Sequence, residues 1–73
     1  MDLRQLESEL ETDDVVFAYR DKEYVINPLE KFYAGEAGNG GDDNSFDNFE
    51  DMADKWIIQG KKLKDIVKDI KLL

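Results

Sequence analysis

The stretch from Phe46 to Ile70, FDNFEDMADKWIIQGKKLKDIVKDI, most limits what this chain can fold into, because it holds the only Trp and a helical apolar rhythm interrupted at Gly60. Phe46, Phe49, Met52, Ala53, Trp56 and Ile57 recur at steps of three and four, so one helix face is apolar while Asp47, Glu50, Asp51, Asp54 and Lys55 meet water. The spacing predicts a helix from Phe46 through Ile58, capped by Ser45 or Asp47, with acids in the first turn at the positive end of the backbone dipole. Gly60 reads as a stop or a sharp turn. Beyond it Leu63, Ile66, Val67 and Ile70 form a second apolar stripe against Lys61, Lys62, Lys64, Asp65, Lys68 and Asp69, which predicts a second helix. Trp56, Ile57 and Ile58 are bulky or β-branched, so an extended piece before Gly60 is the alternative, and it adds a third strand.

Those helices need a surface to cover. The segments VVFAYR and EYVIN, from Val15 to Asn27, carry the strand signal, and Asp21 and Lys22 between them read as a two-residue turn. That turn sets Tyr19 opposite Tyr24 and Phe17 opposite Ile26 on a core face, with Arg20 opposite Glu23 and Ala18 opposite Val25 on the other. Asp-Lys is a weaker turn former than Asp-Gly, and a register slip of one exchanges the faces. An isolated hairpin is marginal in water, so the aromatic face requires a helical cover, with Trp56 near its centre. The second face, with Val16, Ala18 and Val25, is less polar than an open surface, which leaves it to the first helix or to a partner. That first helix is predicted by Leu3, Leu6 and Leu10 behind an Asp2 cap, and at about ten residues it must dock or fray.

Between hairpin and C-terminal helices, Asn27 as cap, Pro28 in a first turn, Glu30 in the capping-box position, and Leu29, Phe32 and Tyr33 predict a short helix ending near Gly35. Residues 35–45, GEAGNGGDDNS, hold four glycines and no large apolar side chain, and read as a flexible internal loop. The expected fold is α+β, a single small acidic domain over residues 1–73. It comprises an N-terminal helix, a two-stranded antiparallel hairpin, a short helix, the Gly/Asp loop, and two C-terminal amphipathic helices packed on the hairpin.

Composition narrows the chemistry. A chain of 73 residues without Cys or His lacks disulfides, thiolate or imidazole metal ligands, and a base to activate Ser8 or Ser45. Asp43, Ser45, Asp47 and Asp54 match positions 1, 3, 5 and 12 of a calcium loop, but Asn48 stands where that loop needs Gly, and Asp54 replaces the bidentate Glu. No carboxylate falls on an apolar face where burial would raise its pKa. The expectation is therefore no enzyme, no metal and no cofactor. No apolar run approaches the ~20 residues of a membrane span, so a soluble cytoplasmic protein with no membrane contact is expected.

Charge carries the functional expectation. Eighteen acids against ten bases give a net charge of −8, which repels nucleic acid and disfavours its direct binding. Residues 32–54 hold seven acids and no base, whereas residues 55–73 hold six lysines and two acids. Glu7, Glu9, Glu11, Asp13, Asp14, Asp42, Asp43, Asp47, Glu50, Asp51 and Asp54 form a candidate acidic interaction surface, and Lys61, Lys62, Lys64 and Lys68 a candidate basic one. The basic segment can also fold back on acids of its own chain. Two function classes follow: a protein-binding accessory or regulatory module, self-associating or with another protein, and an inhibitor that presents acids in place of phosphates to a basic DNA- or RNA-binding protein. Phosphate mimicry requires the acids to line up along one surface.

Overall fold

The computed structural model describes residues 1–38 and 44–73. Helix α1 (Leu3–Leu10) leads into β1 (Val15–Tyr19), β2 (Lys22–Pro28), β3 (Phe32–Glu36) and β4 (Asn44–Phe46). Helix α2 (Phe49–Lys55) is followed by β5 (Ile57–Ile58), β6 (Lys61–Lys62), α3 (Leu63–Ile66), a 3₁₀ turn at Val67–Asp69, and β7 (Lys71–Leu72). Among the described residues the result is a small mixed α/β domain with three helices and two antiparallel sheets. One sheet has five strands in the order β4-β3-β2-β1-β7, and β5 with β6 forms the other.

The central hairpin turns one residue earlier than its sequence predicts. Arg20 and Asp21, at φ 49° and 67°, occupy the turn, and Tyr19 pairs with Lys22, Phe17 with Tyr24 and Val15 with Ile26. Asp tolerates left-handed backbone, and the Arg20 guanidinium lies 5.4 Å from the Tyr19 ring centroid, a cation–π contact that helps hold a non-glycine residue there. Moving a two-residue turn by one position changes every pairing by two. Phe17, Tyr19, Tyr24 and Ile26 therefore keep one face in common, as expected, and Val15 joins them.

The short helix expected after Asn27 is replaced by strand. The chain stays extended through Pro28, turns over Leu29 to Lys31, and returns as β3 with Ile26 opposite Ala34 and Pro28 opposite Phe32. The two outcomes bury different side chains. A helix would have set Leu29 beside Phe32 and Tyr33; instead Leu29 is 71% exposed at the hairpin tip, while Ala34 is sealed against the core. Alternation puts Phe32 on the core face, edge-on to Phe49 at 6.2 Å. The expected loop at 35–45 is also shorter at both ends, because Gly35 and Glu36 complete β3 and Asn44 and Ser45 open β4. Its middle, including Asp42 and Asp43, lies outside the described residues.

The C-terminal stretch departs from two long helices. Helix α2 begins only at Phe49, because Phe46 and Ser45 are taken by pairing with Phe32 and Tyr33. Its cap is Asn48, whose Oδ1 accepts the Asp51 amide at 2.8 Å, so neither Ser45 nor Asp47 performs that role. Trp56 leaves the helix at φ −74°, ψ 117°, and Ile57–Ile58 run extended. The extended alternative thus prevails, although this strand starts a separate hairpin. Gly60 at φ +85° and Gln59 at φ 52° make its turn, and Ile58 pairs with Lys61. The predicted second helix shortens to α3 and the 3₁₀ turn, with Leu63, Ile66, Val67 and Ile70 all buried, before the chain adds β7 to the edge of β1.

All three helices cover the same side of the five-stranded sheet. Leu6 and Leu10 of α1, Met52 and Ala53 of α2, and Leu63 and Ile66 of α3 share one buried cluster with Phe17, Tyr24 and Ile26. Asp2 caps α1 as expected, accepting the Gln5 amide at 2.8 Å while its own amide donates to Gln5 Oε1 at 3.1 Å. Trp56 sits where the cover was expected to centre, with its ring edge-on to Phe17 at 6.0 Å and to Tyr24 at 6.1 Å. The small hairpin is tied to the large one by Gln59, whose Nε2 donates to the Tyr19 carbonyl at 3.0 Å and to the Tyr24 hydroxyl at 3.1 Å.

Candidate functional site

A strand exposes alternate side chains on opposite faces, so the residues between the buried ones define the back of the sheet. On β1 these are Val16 and Ala18, on β2 Glu23, Val25 and Asn27, on β3 Tyr33 and, by its register with Val25, the buried Gly35, and on β7 Lys71. Val16, Ala18, Val25 and Tyr33 are partly exposed, and none of them joins the buried core. Since α1 docks on the core side, no helix of the described residues covers this back face. The first helix is thereby eliminated as its cover.

Register orders the face into rows. Val16 pairs with Val25, which pairs with Gly35. On the other side of β1 the Leu73 amide donates to the Val16 carbonyl at 3.0 Å, continuing the β7 pairing and extending this row to Leu73. The next row runs Lys71, Ala18 and Glu23, from the pairings of Ala18 with both neighbours. A third joins Asn27, Tyr33 and Ser45. Leu73 is 66% exposed at one margin, and Leu29 projects at the end where Asn27, Leu29, Glu30 and Tyr33 line a shallow depression of about 220 Å³. That volume lies below the ~300–1,000 Å³ usual for small-molecule sites.

The charged candidates fall into two groups. Asp47, Asp51 and Asp54 are engaged by lysines: Lys31 to Asp47 at 3.5 Å, Lys55 to Asp51 at 3.7 Å, and both Lys62 and Lys64 to Asp54, at 3.7 and 2.8 Å. The contact with Lys64, a hydrogen bond and then a coulombic attraction, holds the Asp54 carboxyl below the usual carboxylate value. The same hydrogen bond raises the Lys64 ammonium above its ordinary value. The basic segment thus does fold back on acids of its own chain, through Lys62 and Lys64, while Lys61 and Lys68 form no ion pair among the described residues. These bridges are solvent-exposed and worth little in stability.

Glu7, Glu9, Glu11, Asp13 and Asp14 are different. They crowd the C-terminal half of α1 and the turn after it, exposed, with no basic residue in the last helical turn and no ion pair among the described residues. Carboxylates at that end oppose the helix dipole, so local stability does not explain them. Glu50 is likewise exposed on α2.

Among the described residues no cluster of three or more acidic side chains is arranged to hold a metal ion, and no helix is long and apolar enough to cross a membrane. Of the residues that build the back face, Val16, Ala18 and Val25 were recognisable from alternation in the hairpin. Tyr33, Gly35 and Leu29 were not, because they were read in a helix or loop; the available signal was Phe32, Ala34 and Glu36 alternating with Tyr33 and Gly35. Comparison with protein-family models, curated proteins and solved structures finds no match to this chain.

Proposed function

We propose that this protein is a small acidic, non-enzymatic binding module of accessory or regulatory type, and that it engages protein through the back of its sheet. The observation that carries the reading is the back face itself: partly exposed Val16, Ala18, Val25 and Tyr33 with exposed Leu73 form an apolar strip that no helix of the described residues covers. Contiguous apolar surface of this kind on a small domain marks interaction sites more often than stray exposure does. The shallow, open depression beside Tyr33 suits a protruding side chain of a partner better than an enclosed substrate.

The test is site-specific photo-cross-linking in a lysate of the native cell, with benzoylphenylalanine in place of Val25 or, as a control on the helical side, Glu50. The reading expects protein adducts from position 25 and few from position 50. Adducts equal at both positions, or absent at 25, contradict it.

A second reading is supported by the five unpaired acids of α1 and the following turn: they would present negative charge to a basic DNA- or RNA-binding protein in place of phosphates. Its distinguishing mark is salt. Capture that depends on Glu7, Glu9, Glu11, Asp13 and Asp14 and collapses between ~0.05 and ~0.5 M salt supports mimicry, whereas salt-insensitive capture through Val25 leaves only the first reading.

A further inference from the structure

The back face is complementary to itself. Consider a twofold axis lying in the plane of contact, parallel to the strands and above β1. Such an axis returns each row to the same row and exchanges its left and right ends. In the row Lys71, Ala18, Glu23, it sets Lys71 of one copy over Glu23 of the other, twice, with Ala18 against Ala18 between them. In the row Leu73, Val16, Val25, it sets Leu73 over Val25, twice, with Val16 against Val16. The charged row therefore pairs opposite signs, and the apolar row pairs apolar with apolar. The small Ala18 on the axis permits two sheets to approach at the usual ~10 Å of aligned packing.

From this we infer that the partner seated on the back face is a second copy of this chain, in a face-to-face isologous dimer centred on β1. Charge elsewhere points the same way. The acids that give the chain its net charge of −8 are largely carried by the helices and turns, whereas the rows beside β1 hold one acid and one base. Two copies therefore meet there with balanced side-chain charge in these rows. Three overlapping strands, β7, β1 and β2, about 4.8 Å apart and at most about five residues long give a contact on the order of 200 Å² per copy in flat projection, below the ~1,200–2,000 Å² total of stable specific interfaces, so the dimer is expected to be weak and transient.

The inference rests on the reading of this face as a binding surface, and the experiment separates the two. Sedimentation equilibrium of the full chain at ~0.15 M salt, where charges beyond ~8 Å are screened, reads the mass from about 10 μM to about 1 mM. Wild type is expected to pass from one chain's mass toward two. Glu23→Lys and Lys71→Glu, each replacing two attractive contacts with two repulsive ones, are expected to raise the midpoint about tenfold or more. The double variant Glu23→Lys with Lys71→Glu restores the pairing and should return to within about threefold of wild type. An equimolar mixture of the two single variants should form the mixed dimer, since each supplies the charge the other lacks. Circular dichroism of every variant verifies the fold.

A single-chain mass at every concentration overturns the dimer, as does association indifferent to both single reversals. If wild type is monomeric and position 25 still cross-links to another protein, self-association is wrong and the binding face stands. If it is monomeric and position 25 yields no adduct, both are wrong.

Discussion

The two faces of the five-stranded sheet are built from the same three central strands and have opposite fates. On one, Val15, Phe17, Tyr19, Tyr24, Ile26 and Ala34 are buried under all three helices and the small hairpin. On the other, one residue along each strand, Val16, Ala18, Val25 and Tyr33 stay partly exposed beneath no described element. Burial of a large side chain is worth ~1.5–3 kcal/mol, so a chain this short has reason to use every apolar residue it carries. It nonetheless leaves Val16, Ala18, Val25 and Tyr33 under no helix of the described residues. The difference teaches that apolarity alone does not define the core; the topology decides which half of an alternating pattern is covered.

The comparison can be broken where the cover is strongest. Trp56 is 4% exposed and touches both Phe17 and Tyr24, so Trp56→Ala is expected to cost about 3–5 kcal/mol in urea unfolding. Near-native stability would mean that the helical cover does not depend on this ring. A smaller loss is expected at Gln59, where Gln59→Ala removes the donor to the Tyr19 carbonyl and the Tyr24 hydroxyl and should cost about 1–2 kcal/mol. Gly60→Ala, at φ +85° with open space around the position, tests backbone strain alone and should cost about 1 kcal/mol.

The smallest effect belongs to the exposed Asp54–Lys64 pair. Because the folded-state carboxyl is held below its ordinary 3.8, its contribution is present above that pH and is lost as pH falls through the lowered value. The Lys64 ammonium is raised above 10.5, so its contribution is present below that pH and is lost as pH rises through the raised value. An NMR titration of the Asp54 carboxyl should show the downward displacement in wild type and a smaller one in Lys64→Met, where Lys62 still lowers it. An unchanged titration in that variant would contradict the assignment.

How much of this was readable in the sequence depends on the range of the interactions that decide each segment. The strands from Val15 to Asn27, their aromatic core face and the position of Trp56 followed from alternation and periodicity. The Asp2 cap likewise needed only residues three apart. Residues 28–36 were misread because Asn-Pro-Leu-Glu is a sound helix start locally, and it is overruled by β2 requiring a second neighbour, a non-local demand. Helix α2 lost Phe46 and Ser45 for the same reason, since β3 pairs with them. At Ile57 and Ile58 the β-branched side chains signalled the extended alternative, and a Gln-Gly turn with a carbonyl and a hydroxyl to bind completed it.

For the candidate surface, Val16, Ala18 and Val25 were visible as an unusually apolar second face. The rest of the surface was not, because Tyr33, Gly35, Lys71 and Leu73 join it only through strands β3 and β7, whose existence depends on partners remote in sequence. The acidic side chains were all readable as charges. Their division into lysine-paired Asp47, Asp51 and Asp54 and the unpaired acids of α1 and the turn after it required the positions of Lys31, Lys55, Lys62 and Lys64.

The claim that one face folds the chain and the other is free for contact is tested most directly at two consecutive residues of β2. Urea unfolding of Val25→Lys and Ile26→Lys, measured side by side, places the same charge on opposite faces of one strand. Ile26 is fully buried, so its variant is expected to lose the cooperative transition or at least about 4 kcal/mol, while the Val25 variant stays within about 1 kcal/mol of wild type. Equal losses at the two positions would show that the back of the sheet is needed for folding, and would contradict the account.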